Sequence, residues 1–125
     1  MSLTALNDTL EEGEPCPIRN VLDRIGDQWS LLVLAALSHG TRRFNELRRE
    51  IEGVSQHMLS RTLKRLEQDG LVSRTVFPTI PPRVDYALTP LGQSFWERMR
   101  HLVEWADANH DAVREARRRY RAMAG

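Results

Sequence analysis

Within ten residues, Ser55, Gln56, His57, Ser60, Arg61 and Lys64 bring six hydrogen-bonding side chains together. Arginine and lysine can bond the N7 and O6 edge of guanine or a phosphate, and glutamine can pair with adenine. Serine and histidine are short polar readers. Arg42, Arg43 and Arg49 precede this run, where phosphate contacts would fix a docking register, and Arg83 follows it. This is the chemistry of reading double-stranded DNA. Catalysis needs a nucleophile–base pair or a metal in a pocket. His39, His57, His101, His110 and the single Cys16 show no HExxH, CxxC or paired Cys/His spacing, so no enzyme activity, metal or cofactor is expected.

Cys16 is the second reactive feature. It stands between Pro15 and Pro17, close to Arg19, at the expected N-terminus of a helix, where the helix dipole favours thiolate. Glu11, Glu12 and Glu14 oppose that by like-charge repulsion. Two readings of Cys16 stand open, a redox switch open to oxidants and electrophiles and a small buried hydrophobe. An intrachain disulfide is impossible with one cysteine, and a reducing cytoplasm fits.

The elements that must position these groups follow from periodicity. Pro17 suits the first turn of a helix carrying Ile18, Val21, Leu22 and Ile25, with Gly26 at its end. Residues 28–38 form a second helix, apolar nearly all round and therefore expected in the middle of the core. Residues 41–44 suit a short strand. Asn45 is a candidate N-cap for a helix to Ile51, with Leu47 and Ile51 inward and Arg48 and Arg49 outward. After Gly53-Val54, Ser55 caps a helix reaching Asp69. At 100° per residue, Leu59, Thr62, Leu63 and Leu66 share one face, opposite His57, Ser60, Arg61, Lys64 and Gln68. Gly70 then supplies a left-handed C′ residue, and Leu71 folds back on Leu66.

Residues 72–77 and 84–88 read as two strands joined by Pro78-Thr79-Ile80-Pro81-Pro82-Arg83, a stiff protruding loop. Thr89-Pro90 starts a long helix bearing Leu91, Phe95, Met99, Leu102 and Val103, its apolar stripe widened by Trp96 and Trp105. An arginine-rich tail, helical or frayed, follows over 114–121. The order of elements is the plan of a winged helix-turn-helix, in an α+β, mainly α, fold class with a two-stranded wing.

At 125 residues, 41% apolar and 28% charged, the chain is one ordinary domain. Residues 1–14 are expected as a flexible arm, 15–109 as the folded domain and 110–125 as a basic tail. The first fourteen residues end acidic and build no signal peptide. The apolar run 31–37 is too short to cross a bilayer, so a protein that is not exported and has no membrane partner is expected. The net charge of +1 conceals an uneven distribution. Residues 1–27 carry −4, residues 41–74 carry +3 and residues 97–125 carry +2. Two basic regions on a nearly neutral chain fit a local polyanion contact.

The chain resembles the HxlR-type branch of the winged-helix transcriptional regulators, related to the MarR group. The resemblance rests on CPI at 16–18, IGDQWSLLVL at 25–34, RFNELRREIEGVS at 43–55, LSRTLKRLEQDGLVSRTVF at 59–77 and PPRVDYALTPLG at 81–92. It implies a homodimer that represses or activates nearby genes. Its dimer helices would be residues 18–25 and 90–108, with Ile18, Val21, Leu22, Trp96, Met99, Leu102 and Trp105 at the interface. It also implies a thiol switch, because members that sense quinones, hypochlorite or disulfide stress carry a cysteine at the place of Cys16. Two other readings remain. One keeps DNA binding but is controlled by a small apolar ligand between the dimer helices, lined by tryptophans. The other is a winged-helix module that binds protein.

Overall fold

A computed structural model describes Asp23, Gly26 and residues 27–124. Cys16, Ile18, Val21 and Leu22, and most of the expected first helix, lie outside the described residues. The elements run α1 (Gln28–Leu37), β1 (Arg42–Arg43), α2 (Phe44–Glu50), α3 (Gln56–Gln68), β2 (Val72–Phe77), β3 (Arg83–Leu88) and α4 (Pro90–Ala124). The three strands form one antiparallel sheet in the order β1-β3-β2. The wing hairpin therefore carries a third, two-residue strand, with Arg42 opposite Tyr86 and Arg43 opposite Asp85.

Asp27 starts α1: its carboxylate accepts the Trp29 N–H at 3.1 Å and the Ser30 hydroxyl at 2.9 Å. That second bond satisfies Ser30, which is fully buried. Val33, Leu34 and Leu37 enter the core, but Leu32 stays 45% exposed. The helix expected in the middle of the core thus buries one face only. On its outer side Leu32, Ala35 and Ala36 border a shallow hollow with Ile51.

The start of α2 also differs from expectation. Arg43 is its extended N-cap residue, and the Arg43 backbone N–H donates to Glu46 Oε1 at 3.0 Å. The glutamate three residues on thus holds the helix start, one half of a capping box; the Arg43 side chain, a donor only, cannot supply the other half. Asn45 falls inside the first turn, and Phe44 is helical instead of strand.

α3 follows the sequence reading closely. Ser55 Oγ accepts the Met58 N–H at 3.1 Å, and Leu59, Thr62, Leu63 and Leu66 are all buried. At its far end Gly70 has φ +76°, where an L side chain is strained. The Gly70 N–H donates to the Glu67 carbonyl and the Leu71 N–H to the Leu66 carbonyl, both at 3.0 Å. These are the two bonds of a Schellman motif. The core gathers α1, α2 and α3 through Val33, Leu34, Leu37, Leu47, Leu59 and Leu63, with Phe95 and Trp96 of α4 packed against it.

Thr89 joins α4 to this core. Its hydroxyl donates to the Gly70 carbonyl at 2.6 Å and accepts the Gly92 N–H at 3.0 Å, while its own N–H donates to the Leu71 carbonyl at 3.1 Å. α4 then runs unbroken to Ala124, 35 residues and ~52 Å long. The stretch read as a helical or frayed tail is its continuation. Ion pairs along the exposed surface, Arg100 with Glu97 and Glu104 and Glu115 with Arg118 and Arg119, have the spacing that supports a helix.

Candidate nucleic-acid interface

α2, a short turn and α3 form the helix-turn-helix, and the hairpin β2–β3 stands beside it. The burial of Leu59, Thr62, Leu63 and Leu66 fixes the rotation of α3, leaving Gln56, His57, Ser60, Arg61 and Lys64 exposed together. No acidic side chain occurs between Gln56 and Arg65. Arg61 and Lys64 have no carboxylate partner among the described residues. Ser55 serves first as the helix cap, and its hydroxyl proton stays available to a donor contact.

The arginines around α3 divide into two groups. Arg43, Arg49 and Arg83 border one open hollow between α2 and the wing, with Asn45 and Glu46. Arg42 is separate: its Nε donates to Glu50 Oε1 at 2.8 Å and a terminal nitrogen donates to the Thr41 carbonyl at 3.1 Å. It ties β1 to the end of α2 and its charge already has a partner. The expectation of a phosphate contact from Arg42 thus meets a residue engaged within its own chain.

Arg83 is also engaged, in a different way. It donates two bonds to Asp85, Nε to Oδ1 and a terminal nitrogen to Oδ2, each 3.0 Å, and lies over the Phe77 ring at 5.2 Å from the centroid. The register explains this, since Phe77 is paired with Arg83 across the hairpin. The hydrogen bonds from Arg83 hold the Asp85 carboxyl below its usual range, with the charges of Arg83 and Arg43 acting in the same direction. The same hydrogen bond and the Asp85 charge raise Arg83. A carboxyl held low keeps its pairing above its unfolded range and loses it only as pH falls through the depressed value. The latch at the wing base is therefore insensitive to pH near neutrality. At the tip, Thr79 and Pro81 close the loop through a 2.8 Å bond, and Ile80 is fully exposed.

Two contacts escaped the sequence reading. Arg65 reaches Asp27 at 3.6 Å and so ties α3 to the start of α1. Gly92 packs directly on the backbone at Leu71. Neither has a local signature. Of the expected dimer stripe, Met99 is buried in its own chain at 8% exposure and Trp96 packs on the core, whereas Leu102 and Trp105 are 47% and 58% exposed. Among the described residues no three His, Cys, Asp or Glu side chains gather as a metal site, and no helix is long and apolar enough to cross a membrane.

Comparison with known proteins agrees with this arrangement. Residues 24–114 match the HxlR-like helix-turn-helix family. The chain belongs to that family. It is similar to the HTH-type transcriptional regulator YtfH of Escherichia coli K12, at 45% identity over 113 residues, covering 87% of this chain and 90% of the relative. Among solved structures it resembles the transcriptional regulator YtfH from Salmonella typhimurium, with a TM-score of 0.74 and 43% identity over 84% of this chain and 94% of that one. The redox regulator HypR in its reduced form gives a TM-score of 0.74 at 35% identity, over 79% of this chain and 98% of that one. The fold is the winged helix-turn-helix of transcriptional regulators in this HxlR-like family.

Proposed function

We propose that this HxlR-like protein binds double-stranded DNA as a homodimer, placing α3 of each protomer in the major groove of a pseudo-palindromic operator, and thereby regulates transcription. The observation that carries this reading is the outer face of α3, with Gln56, His57, Ser60, Arg61 and Lys64 exposed over a fully buried inner face and no acidic residue before Glu67 in the last turn. Arg61 and Lys64 read guanine or hold phosphate, Gln56 reads adenine, and Ser55, His57 and Ser60 add short polar contacts. Arg43 and Arg49 hold the backbone and fix the register. Support for the dimer comes from Leu102 and Trp105, large apolar groups exposed side by side on a chain of this size. Ile18, Val21 and Leu22 complete the proposed contact with the half-buried Trp96, while Met99, buried in its own chain, backs it from within. A two-fold dimer sets the recognition helices roughly 34 Å apart.

The test is titration of reduced protein onto DNA from upstream of its own gene, with excess random competitor. Binding that survives the competitor supports the reading; binding removed in proportion to competitor counts against it. A narrower prediction concerns the wing. Asp85→Asn frees Arg83 for a phosphate, and the plot of log affinity against log salt should steepen by about 0.9 per protomer. An unchanged slope would show that Arg83 does not reach the DNA backbone.

A second reading, resting on the likeness to the redox regulator HypR, makes Cys16 a switch. Two Cys16 thiols, one per protomer, would lose two protons and two electrons to a peroxide or quinone and join as an intersubunit disulfide. The bridge would fix the angle between the two DNA-binding heads. Oxidant should then change operator affinity of the wild type and leave Cys16→Ser unaffected. An equal response in both proteins removes the switch.

A further inference from the structure

Reading by α3 leaves the tip of the wing without a role. Five residues, 78–82, join the last register pair of the hairpin, Phe77 with Arg83. Three of the five are prolines, which have a fixed φ and no N–H, so the loop is stiff. Thr79 uses its polar groups inside the loop: its N–H donates to the Phe77 carbonyl and its hydroxyl to the Pro81 carbonyl, both at 2.8 Å. Hydrogen-bonded reading of the minor-groove floor needs donors for adenine N3 and thymine O2. Among these five residues only the Ile80 N–H is left to give one. What the tip presents is the Ile80 side chain, the most exposed large apolar group among the described residues.

The charge beside the tip indicates what it meets. Ile80 and its neighbouring prolines border one hollow with Arg43, Asn45 and Arg83, and the same two arginines border the adjoining hollow with Arg49. Glu46, the one acid bordering these two hollows, is engaged by the Arg43 N–H. From Thr75 to Val84 the wing has no acidic residue. A single exposed isoleucine is ordinary on a protein surface, but one at the point of a stiff projection flanked by arginines is not. Cations at the base and a bare apolar point beyond them fit an occupant that is anionic at its edge and apolar behind it. Duplex DNA is built that way, with phosphates outside and stacked bases within.

We propose that Ile80 enters the minor groove beside each half-site and wedges into a base step, which makes it a specificity-determining residue. This rests on the reading of DNA by α3 proposed above. Apolar wedges of this kind partly unstack a step and kink the duplex by roughly 20–90°. Unstacking is easiest at TA and CA/TG steps, so a side chain that makes no hydrogen bond selects sequence through deformability. With α3 centred on a half-site, the adjoining minor groove lies half a helical turn, about 5 base pairs, away.

The experiment selects duplexes from a random library with the reduced, full-length wild type, with Ile80→Ala and with Ile80→Leu. Ile80 lies wholly outside the core, so neither substitution disturbs the fold. All three proteins should recover the same half-site bases. The wild type and Ile80→Leu should also enrich a TA or CA/TG step about 5 base pairs from the half-site centre. Ile80→Ala should lose that step and bind the wild-type-selected duplex about tenfold more weakly. Energy transfer between dyes at the two ends of that duplex should show a bend with the wild type and a straighter duplex with Ile80→Ala. Identical sequences, affinity and end-to-end distance for the wild type and Ile80→Ala overturn the wedge and leave α3 as the reader. Recovery of no sequence by any of the three overturns both. Loss of the half-site bases together with the step in Ile80→Ala would show that the tip acts through the position of α3, and also overturns the wedge.

Discussion

Gly92→Ala should destabilise the fold by about 3 kcal/mol, a drop in Tm of roughly 10 °C for a chain of this size. A Cβ at this position would lie on the Leu71 carbonyl oxygen and 2.9 Å from its carbonyl carbon. The obstacle is backbone, so no rotamer change relieves it. The carbonyl cannot swing aside freely either, because it accepts the Thr89 N–H at 3.1 Å. Gly92 also donates its own N–H to the Thr89 hydroxyl, which is bonded in turn to the Gly70 carbonyl. One methyl group thus forces apart the end of α3, the chain that leaves it and the start of α4. Thermal unfolding monitored by circular dichroism measures the effect. A melting temperature within a degree or two of wild type would mean that α4 does not approach Leu71 as described.

The opposite profile is expected for Arg61→Ala combined with Lys64→Ala. Both side chains are exposed and lack an acidic partner among the described residues, so stability should change by no more than about 0.5 kcal/mol. Each contact to a base edge or phosphate contributes about 1–3 kcal/mol, so removal of both should weaken specific DNA binding on the order of a hundredfold or more. Any part of the loss due to phosphate contacts should also flatten the salt dependence by about 0.9 per contact. Equilibrium titration at several salt concentrations separates the two kinds of contact. A folded double variant that binds DNA like the wild type would remove these residues from the interface.

Features set by local pattern were legible in the sequence. The rotation of α3 follows from four apolar-face residues at helical spacing, and all four are buried as the angles require. Ser55, Gly70 and Thr89-Pro90 mark their element ends because capping depends on residues within one turn. The start of α2 misled because Asn45 is a good cap in isolation, whereas Glu46 reaches back to the Arg43 N–H and moves the cap two residues earlier. α1 reads as uniformly apolar, but composition does not say how many of its sides meet other elements, and Leu32 does not meet the core.

Charge pairing was the least legible feature. Arg42 and Arg83 look alike as exposed basic residues in sequence, yet Glu50 and Asp85 engage them once β1, α2 and the hairpin are assembled. Arg65 finds Asp27 through the packing of α3 on the start of α1. Such pairs carry no periodic signal. The same holds for Gly92, whose requirement arises only where two backbones meet.

The central claim, that two copies of α3 read one operator, is tested most directly by selecting sequences from a random duplex library with the reduced, full-length protein. The account predicts enrichment of an inverted repeat whose half-site centres lie roughly 10 base pairs, or a multiple of that, apart, with enrichment lost in the Arg61→Ala, Lys64→Ala protein. Recovery of no sequence above the starting pool, or of the same sequences by the double variant, would contradict it.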